Sequence, residues 1–200
     1  DFTTTDIKNC VNFISSWQNC SALTSFPAGA KLGTEATGVT FSTAWRQSGL
    51  TSFSTPLPTA TNVFQAWYQC SSLTSFDTEL PLVTNAPETW RFCSSLTSFS
   101  TELPSATTVA SAWRSCSSLT DFSADVFANW NPSSISSGVF NLAWDGCNSL
   151  TAQSVENILT SIDTSGKYAT STGASGGSAL ADAGIDIDYD VATGSLSAAT

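Results

Sequence analysis

Apolar positions recur along this chain on a fixed period. Six tryptophans set the register: Trp17, Trp45, Trp67, Trp90, Trp113 and Trp144. Three residues after each comes Cys20, Ser48, Cys70, Cys93, Cys116 or Cys147. A leucine follows at Leu23, Leu50, Leu73, Leu96, Leu119 and Leu150, then an aromatic at Phe26, Phe53, Phe76, Phe99 and Phe122. The central tryptophans are spaced by 22, 23 and 23 residues. A period of this size marks a stacked-repeat chain, because one unit cannot bury its own apolar face and needs neighbours to cover it.

Each period holds two patterns. Val63, Ala66, Trp67 and Cys70 lie at i, i+3, i+4 and i+7, and Val109, Ala112, Trp113 and Cys116 repeat that spacing. It predicts a short amphipathic helix. Asn85 before Ala86 and Pro87 has the form of a helix cap with proline in the first turn. Downstream, "LTSFDTELP" and "LTSFSTELP" predict a short strand ended by proline. Strands paired about 4.8 Å apart would stack the Trp, Cys, Leu and Phe positions into four buried columns. The predicted fold class is an α/β solenoid of leucine-rich repeats of about 23 residues, one short strand and one short helix per coil.

The organisation follows. Residues 1–16 are expected to form an N-terminal cap, residues 17–150 about six coils, and residues 151–200 a C-terminal cap. In that cap Val155, Ile158, Leu159 and Ile162 have helical spacing, with Ser154 as a capping residue. Residues 164–184 are rich in Gly, Ser, Ala and Thr and read as loop. Ile185, Ile187, Tyr189 and Val191 then alternate with Asp186, Asp188 and Asp190, which predicts an edge strand with one acidic face. The three aspartates are also weak calcium candidates, but the glycine and final glutamate of a helix-loop-helix calcium site are missing.

The motif WxxCSSLTSFxxxLP, with Ala-Trp ahead of the cysteine, resembles the leucine-rich repeats of BspA-like bacterial surface proteins and the related 26-residue bacterial surface protein repeat. The resemblance covers roughly residues 10–150, and those families usually carry Phe where this chain has Trp. It implies a right-handed leucine-rich-repeat solenoid of the kind found in bacterial adhesins. A tail similar to "SVENILTSIDTSG", here at residues 154–166, accompanies such repeats in tailed-phage proteins. The resemblance therefore implies a surface protein or a virion component such as a phage fibre.

Composition narrows the function. Six basic residues against sixteen acidic ones give a net charge of −10, and no cluster of Lys and Arg offers a phosphate-binding surface. Nucleic acid and anionic membrane surfaces are not expected as partners. No apolar run approaches the length of a membrane span, so no membrane insertion is expected. The chain opens at Asp1 and contains no Met, which points to a processed product or a fragment. Abundant Ser and Thr with scarce Lys suggest an extracellular setting, on a cell surface or virion.

Little here suggests catalysis. There is no histidine, so triads and most catalytic zinc sites are excluded. No cofactor is expected. Glu79 and Glu102 occupy equivalent repeat positions, and identical surroundings would not divide them into an acid and a base. The repeating cysteines are expected to be reduced and buried, with Cys10 and Cys20 the best disulfide pair. Three features are candidates for binding. Trp130, with Asn131 beside it, lies in an insertion outside the tryptophan register and is a candidate for stacking on a sugar; packing against the last coil is the alternative. The residue after each repeat tryptophan includes Arg46, Tyr68, Arg91 and Arg114, an exposed column suited to an acidic neighbour. Thr24, Thr51, Thr74, Thr97, Thr120 and Thr151 form a threonine column that suits ordered glycans or ice, or that satisfies backbone. The expected function is adhesion: recognition of a cell-surface carbohydrate or protein, without enzymatic activity. The alternative is a structural subunit that packs against copies of itself.

Overall fold

The computed structural model describes residues 7–134 and 138–165. Its chain winds so that each repeat lies against the next through parallel pairing. Its strands, in chain order, are the two-residue β1 (Val39–Thr40) and β2 (Ser52–Phe53), the three-residue β3 (Ala60–Asn62), then β4 (Ser75–Phe76), β5 (Ser98–Phe99) and β6 (Asp121–Phe122); β2, β4, β5 and β6 lie in one line of pairing and β1 and β3 in a second. β2 pairs with β4 in register Phe53↔Phe76, β5 with β6 in register Phe99↔Phe122, and β1 with β3. Partners on the central strands are one sequence period apart, so equivalent residues meet. Single parallel bridges continue the second line, from Asn12 to Thr40 and from Asn62 through Asn85 to Thr108.

Among the described residues, the predicted per-repeat helices are absent. The segment around each tryptophan is a run of overlapping turns. In the third repeat, Ala66, Tyr68 and Cys70 donate their N–H groups three residues back, to Val63, Gln65 and Trp67. The alternate residues Gln65, Trp67 and Gln69 donate instead to Pro87, Thr89 and Arg91 of the next repeat. A helix would direct every N–H four residues back within the segment. What prevents this is a left-handed residue two positions before and two after each tryptophan, as at Gln65 (φ 52°) and Gln69 (φ 60°), or Glu88 (φ 54°) and Phe92 (φ 64°). Such a conformation is costly for a residue with a side chain, by roughly 1–2 kcal/mol. The inter-repeat hydrogen bonds it frees offset that cost. The i, i+3, i+4, i+7 spacing was therefore produced by successive turns that aim the same positions inward.

Asn85 is likewise not a helix cap. Asn62 Oδ1 accepts the N–H of Phe64 two residues on, and Asn12 does the same for Ile14. The equivalent position after Asn85 is Pro87, which has no N–H to give. Asn85 donates Nδ2 to Asn62 Oδ1 instead, at 2.9 Å.

The core is a pair of aromatic columns. Neighbouring repeat indoles stack at centroid distances of 5.2, 5.2, 6.0, 5.4 and 5.4 Å, within 10° of parallel. The phenylalanine column meets them edge-on, as at Trp90 and Phe99, 4.7 Å apart. Trp45, Trp67, Trp90, Trp113 and Trp144 are wholly buried, but Trp17 in the first repeat is only half-buried.

All six cysteines are free thiols, so Cys10 and Cys20, the best candidate pair, are not linked. Cys10 donates to the carbonyl of Asn12, and Cys20 is exposed. Cys70, Cys93, Cys116 and Cys147 are buried, and each donates its S–H to the tryptophan carbonyl of the preceding repeat at 3.0–3.1 Å. Burial pushes the thiols of Cys93 and Cys116 well above their ordinary pKa, with the neighbouring thiols adding to the effect.

Helix α1 (Ala152–Thr164) follows the last repeat, where the spacing placed it. Its capping residue is Thr151, whose side chain accepts the N–H of Ser154, rather than Ser154 itself. Ser154 is buried and serves the sheet. Its Oγ accepts the N–H of Phe122 and donates to the carbonyl of Thr120, while Asn157 donates to the carbonyl of Phe122. Two helix side chains thus supply β6 with the partners that a further strand would provide.

Candidate functional site

The turn side of the repeats carries the only three arginines of the chain, each in the position after a repeat tryptophan. That tryptophan points inward, so the next residue points out. Stacking of the repeats brings Arg46, Tyr68, Arg91 and Arg114 into one row, but each residue is half-buried rather than exposed, because neighbours in the row cover one another. The guanidinium of Arg46 lies 4.8 Å from the centroid of Tyr68, and that of Arg91 lies 5.9 Å from the same ring. Arg91 also covers Phe92 at 4.8 Å, and Phe92 meets Tyr68 edge-on at 5.6 Å. Cation–π contacts of this kind hold long side chains that would otherwise be mobile.

A polar chain crosses three repeats beneath this row. Arg46 Nη1 donates to Gln65 Oε1 at 3.2 Å, Gln65 Nε2 to Glu88 Oε2 at 3.3 Å, and Arg91 Nη1 to Glu88 Oε2 at 2.8 Å. Arg114 is paired with Asp145 at 2.6 Å. Beside the row, Gln47 donates to Gln69 at 2.9 Å, and both amides are exposed. Gln65, Glu88 and Phe92 were not among the candidates drawn from the sequence. They stand at the left-handed positions flanking the tryptophan, and aligning those columns as well as the apolar ones would have found them.

Trp130 is not available for stacking on a ligand. It is only 2% exposed, its Nε1 donates to the carbonyl of Ala106 at 2.7 Å, and it packs against Phe127 and Phe140. The insertion folds back on the repeats because Val126, Phe127 and Trp130 supply enough apolar surface to pin it. Asn131 beside it is exposed, with its backbone N–H bonded to Pro104.

The threonine column is exposed, and from Thr51 onward its hydroxyls are occupied. Thr51, Thr74, Thr97 and Thr120 each donate to the carbonyl of the preceding threonine at 3.0–3.4 Å. Glu79 and Glu102 line one open groove of 340 Å³ with Asp77, Leu80, Pro81 and Pro104. Asn129 donates to Glu102 at 3.1 Å. Asp186, Asp188 and Asp190 lie outside the described residues.

No protein-family model and no curated protein matches the chain. Among solved structures, a leucine-rich repeat protein from Bacteroides ovatus ATCC 8483 is similar at 18% identity, with a TM-score of 0.29. The similarity covers 66% of this chain, which spans 42% of the length of that one. Among the described residues, no helix is long and apolar enough to cross a membrane.

Proposed function

We propose that this protein is a non-enzymatic recognition module, a solenoid of leucine-rich-repeat type carried outside the cell on a cell surface or virion. Its turn side binds a cell-surface carbohydrate or protein. The observation that supports this reading best is the row of Arg46, Tyr68 and Arg91, held in place by ring contacts and by the Gln65–Glu88 chain. A stacked-repeat scaffold fixes such side chains at regular intervals on a rigid surface, which lowers the ordering cost of binding. The test is binding of fluorescently labelled protein to host cells and to an array of glycans. Tyr68→Ala should reduce binding roughly tenfold or more while the thermal midpoint moves little. Undiminished binding by that variant would place the contact elsewhere.

A second reading, assembly of copies, has its own support at the first repeat. Val11 and Ile14 are each 52% exposed there. The carbonyls of Ser42 and Ala44 accept N–H groups from Ser15 and Trp17 of the first repeat. The equivalent carbonyls of Ile14 and Ser16 have no such donor among the described residues. Light scattering over a dilution series separates the readings: a monomer at all concentrations removes the second.

A further inference from the structure

The turn side also says what kind of ligand suits it, an inference that rests on the recognition reading above. Three guanidiniums stand on this face against two carboxylates, Glu88 and Asp145, which pair with Arg91 and Arg114. Among the described residues, no carboxylate lies within salt-bridge distance of Arg46, and Gln65 Oε1 takes Nη1. One positive charge is thus left unbalanced on a chain whose net charge is −10. Tyr68 braces that guanidinium at 4.8 Å, so its position is set before any ligand arrives. The exposed amides of Gln47 and Gln69 lie on the same side.

From this arrangement we propose that the Arg46–Tyr68 corner binds an acidic sugar residue, its single carboxylate held by Arg46 and its hydroxyls by the flanking amides. A guanidinium fork matches a carboxylate in geometry and charge. One uncompensated charge suits one carboxylate. A polyanion would meet the negative field of the rest of the molecule. A protein partner is disfavoured because Tyr68 and Phe92 are half-buried against the arginines and leave little exposed apolar surface for an interface centre. The large hydrophobic residues exposed among the described ones are Val11, Ile14 and Leu82, outside this corner.

The experiment titrates the whole chain with a neutral oligosaccharide ending in one sialic acid, and with its methyl ester, which keeps shape and removes charge. The same pair ending in glucuronic acid distinguishes the two kinds of acidic sugar. An aspartate-containing peptide is added as a competitor. The free acid should bind about tenfold or more tighter than the ester, the worth of a charge-assisted bond. Arg46→Gln should erase that difference. Lys31→Gln, which changes net charge equally at an exposed site elsewhere, should preserve it. Arg46→Lys keeps the charge without the fork and should fall between, which guards against a folding defect in the glutamine variant. Acid and ester binding alike, with both weakened by Arg46→Gln, would overturn the carboxylate assignment and leave glycan recognition standing. Equal competition by the peptide would make a protein carboxylate the occupant. Failure of every oligosaccharide to bind would remove the carbohydrate reading itself.

Discussion

Trp90 in the fourth repeat stacks between Trp67 and Trp113, and its side chain is wholly buried; Trp17 in the first stacks on Trp45 and stays half-buried. The thiols differ in the same way. Cys93 is buried and donates to the Trp67 carbonyl, whereas Cys20 is exposed. The two repeats share their template, "WxxCSxLTSF", so the template alone does not bury a residue. Burial comes from flanking repeats, and stability in such a chain resides as much in the interfaces between repeats as within them.

The largest effect that tests this comparison is truncation of the tryptophans. Trp90→Ala removes a buried ring with stacking partners on both faces and should cost about 3–5 kcal/mol. Trp17→Ala should cost less than half of that, because part of its surface is already in water. Urea unfolding monitored by circular dichroism measures both. Equal losses would show that the first repeat contributes as a central one does, and would break the nearest-neighbour picture.

Next in size is the irregularity between the first and second repeats. The second is one residue shorter, with Gly49 alone between Ser48 and Leu50. A Cβ at Gly49 would collide with the backbone carbonyl of Ser21. The shortened loop brings two backbones together, and only glycine permits that approach. Gly49→Ala should cost about 1–3 kcal/mol through the forced shift. Gly29→Ala, with nothing within 4 Å of the new methyl, should be neutral or slightly stabilising. If the two variants unfold alike, the close contact at Gly49 does not hold in solution.

The apolar columns were legible in the sequence because burial requires apolar residues at every turn of the stack, and the period exposes them. Helix α1 was legible for the same reason, with only its cap displaced by three residues to Thr151. The turns were not. A spacing of three and four residues says which side chains face inward, not where the N–H groups go. Residues such as Thr43 and Gln65 give no warning of a left-handed backbone, since their own preferences oppose it. The arginine column was visible as a column, but its ring contacts and the Gln65–Glu88 chain depend on side chains from adjacent repeats. Trp130 stands outside the repeat register, which left both stacking on a sugar and packing against the last coil open. Its apolar company of Val126 and Phe127, four and three residues earlier, was the available signal for burial.

The smallest expected effect sharpens the comparison between Cys93 and Cys20. Desolvation holds the Cys93 thiol well above 9.0, with Cys116 and Cys70 contributing in the same direction. The unfolded chain therefore releases this proton near pH 9 while the folded chain keeps it. With more protons bound to the native state, stability falls as pH rises past that point. One such thiol removes at most about 1.4 kcal/mol per pH unit. Cys93→Ser keeps a hydroxyl donor for the Trp67 carbonyl and removes the titration, and the column already holds a serine, Ser48, against Cys70. Urea midpoints at pH 8 and 10 should converge in that variant relative to the parent. A thiol reagent supplies the kinetic counterpart: Cys20 should react on mixing, and Cys93 only at the rate at which the stack opens. Rapid labelling of Cys93 in the native protein would mean that the central repeats separate readily, and that a residue between two neighbours is no better protected than one at the end of the series.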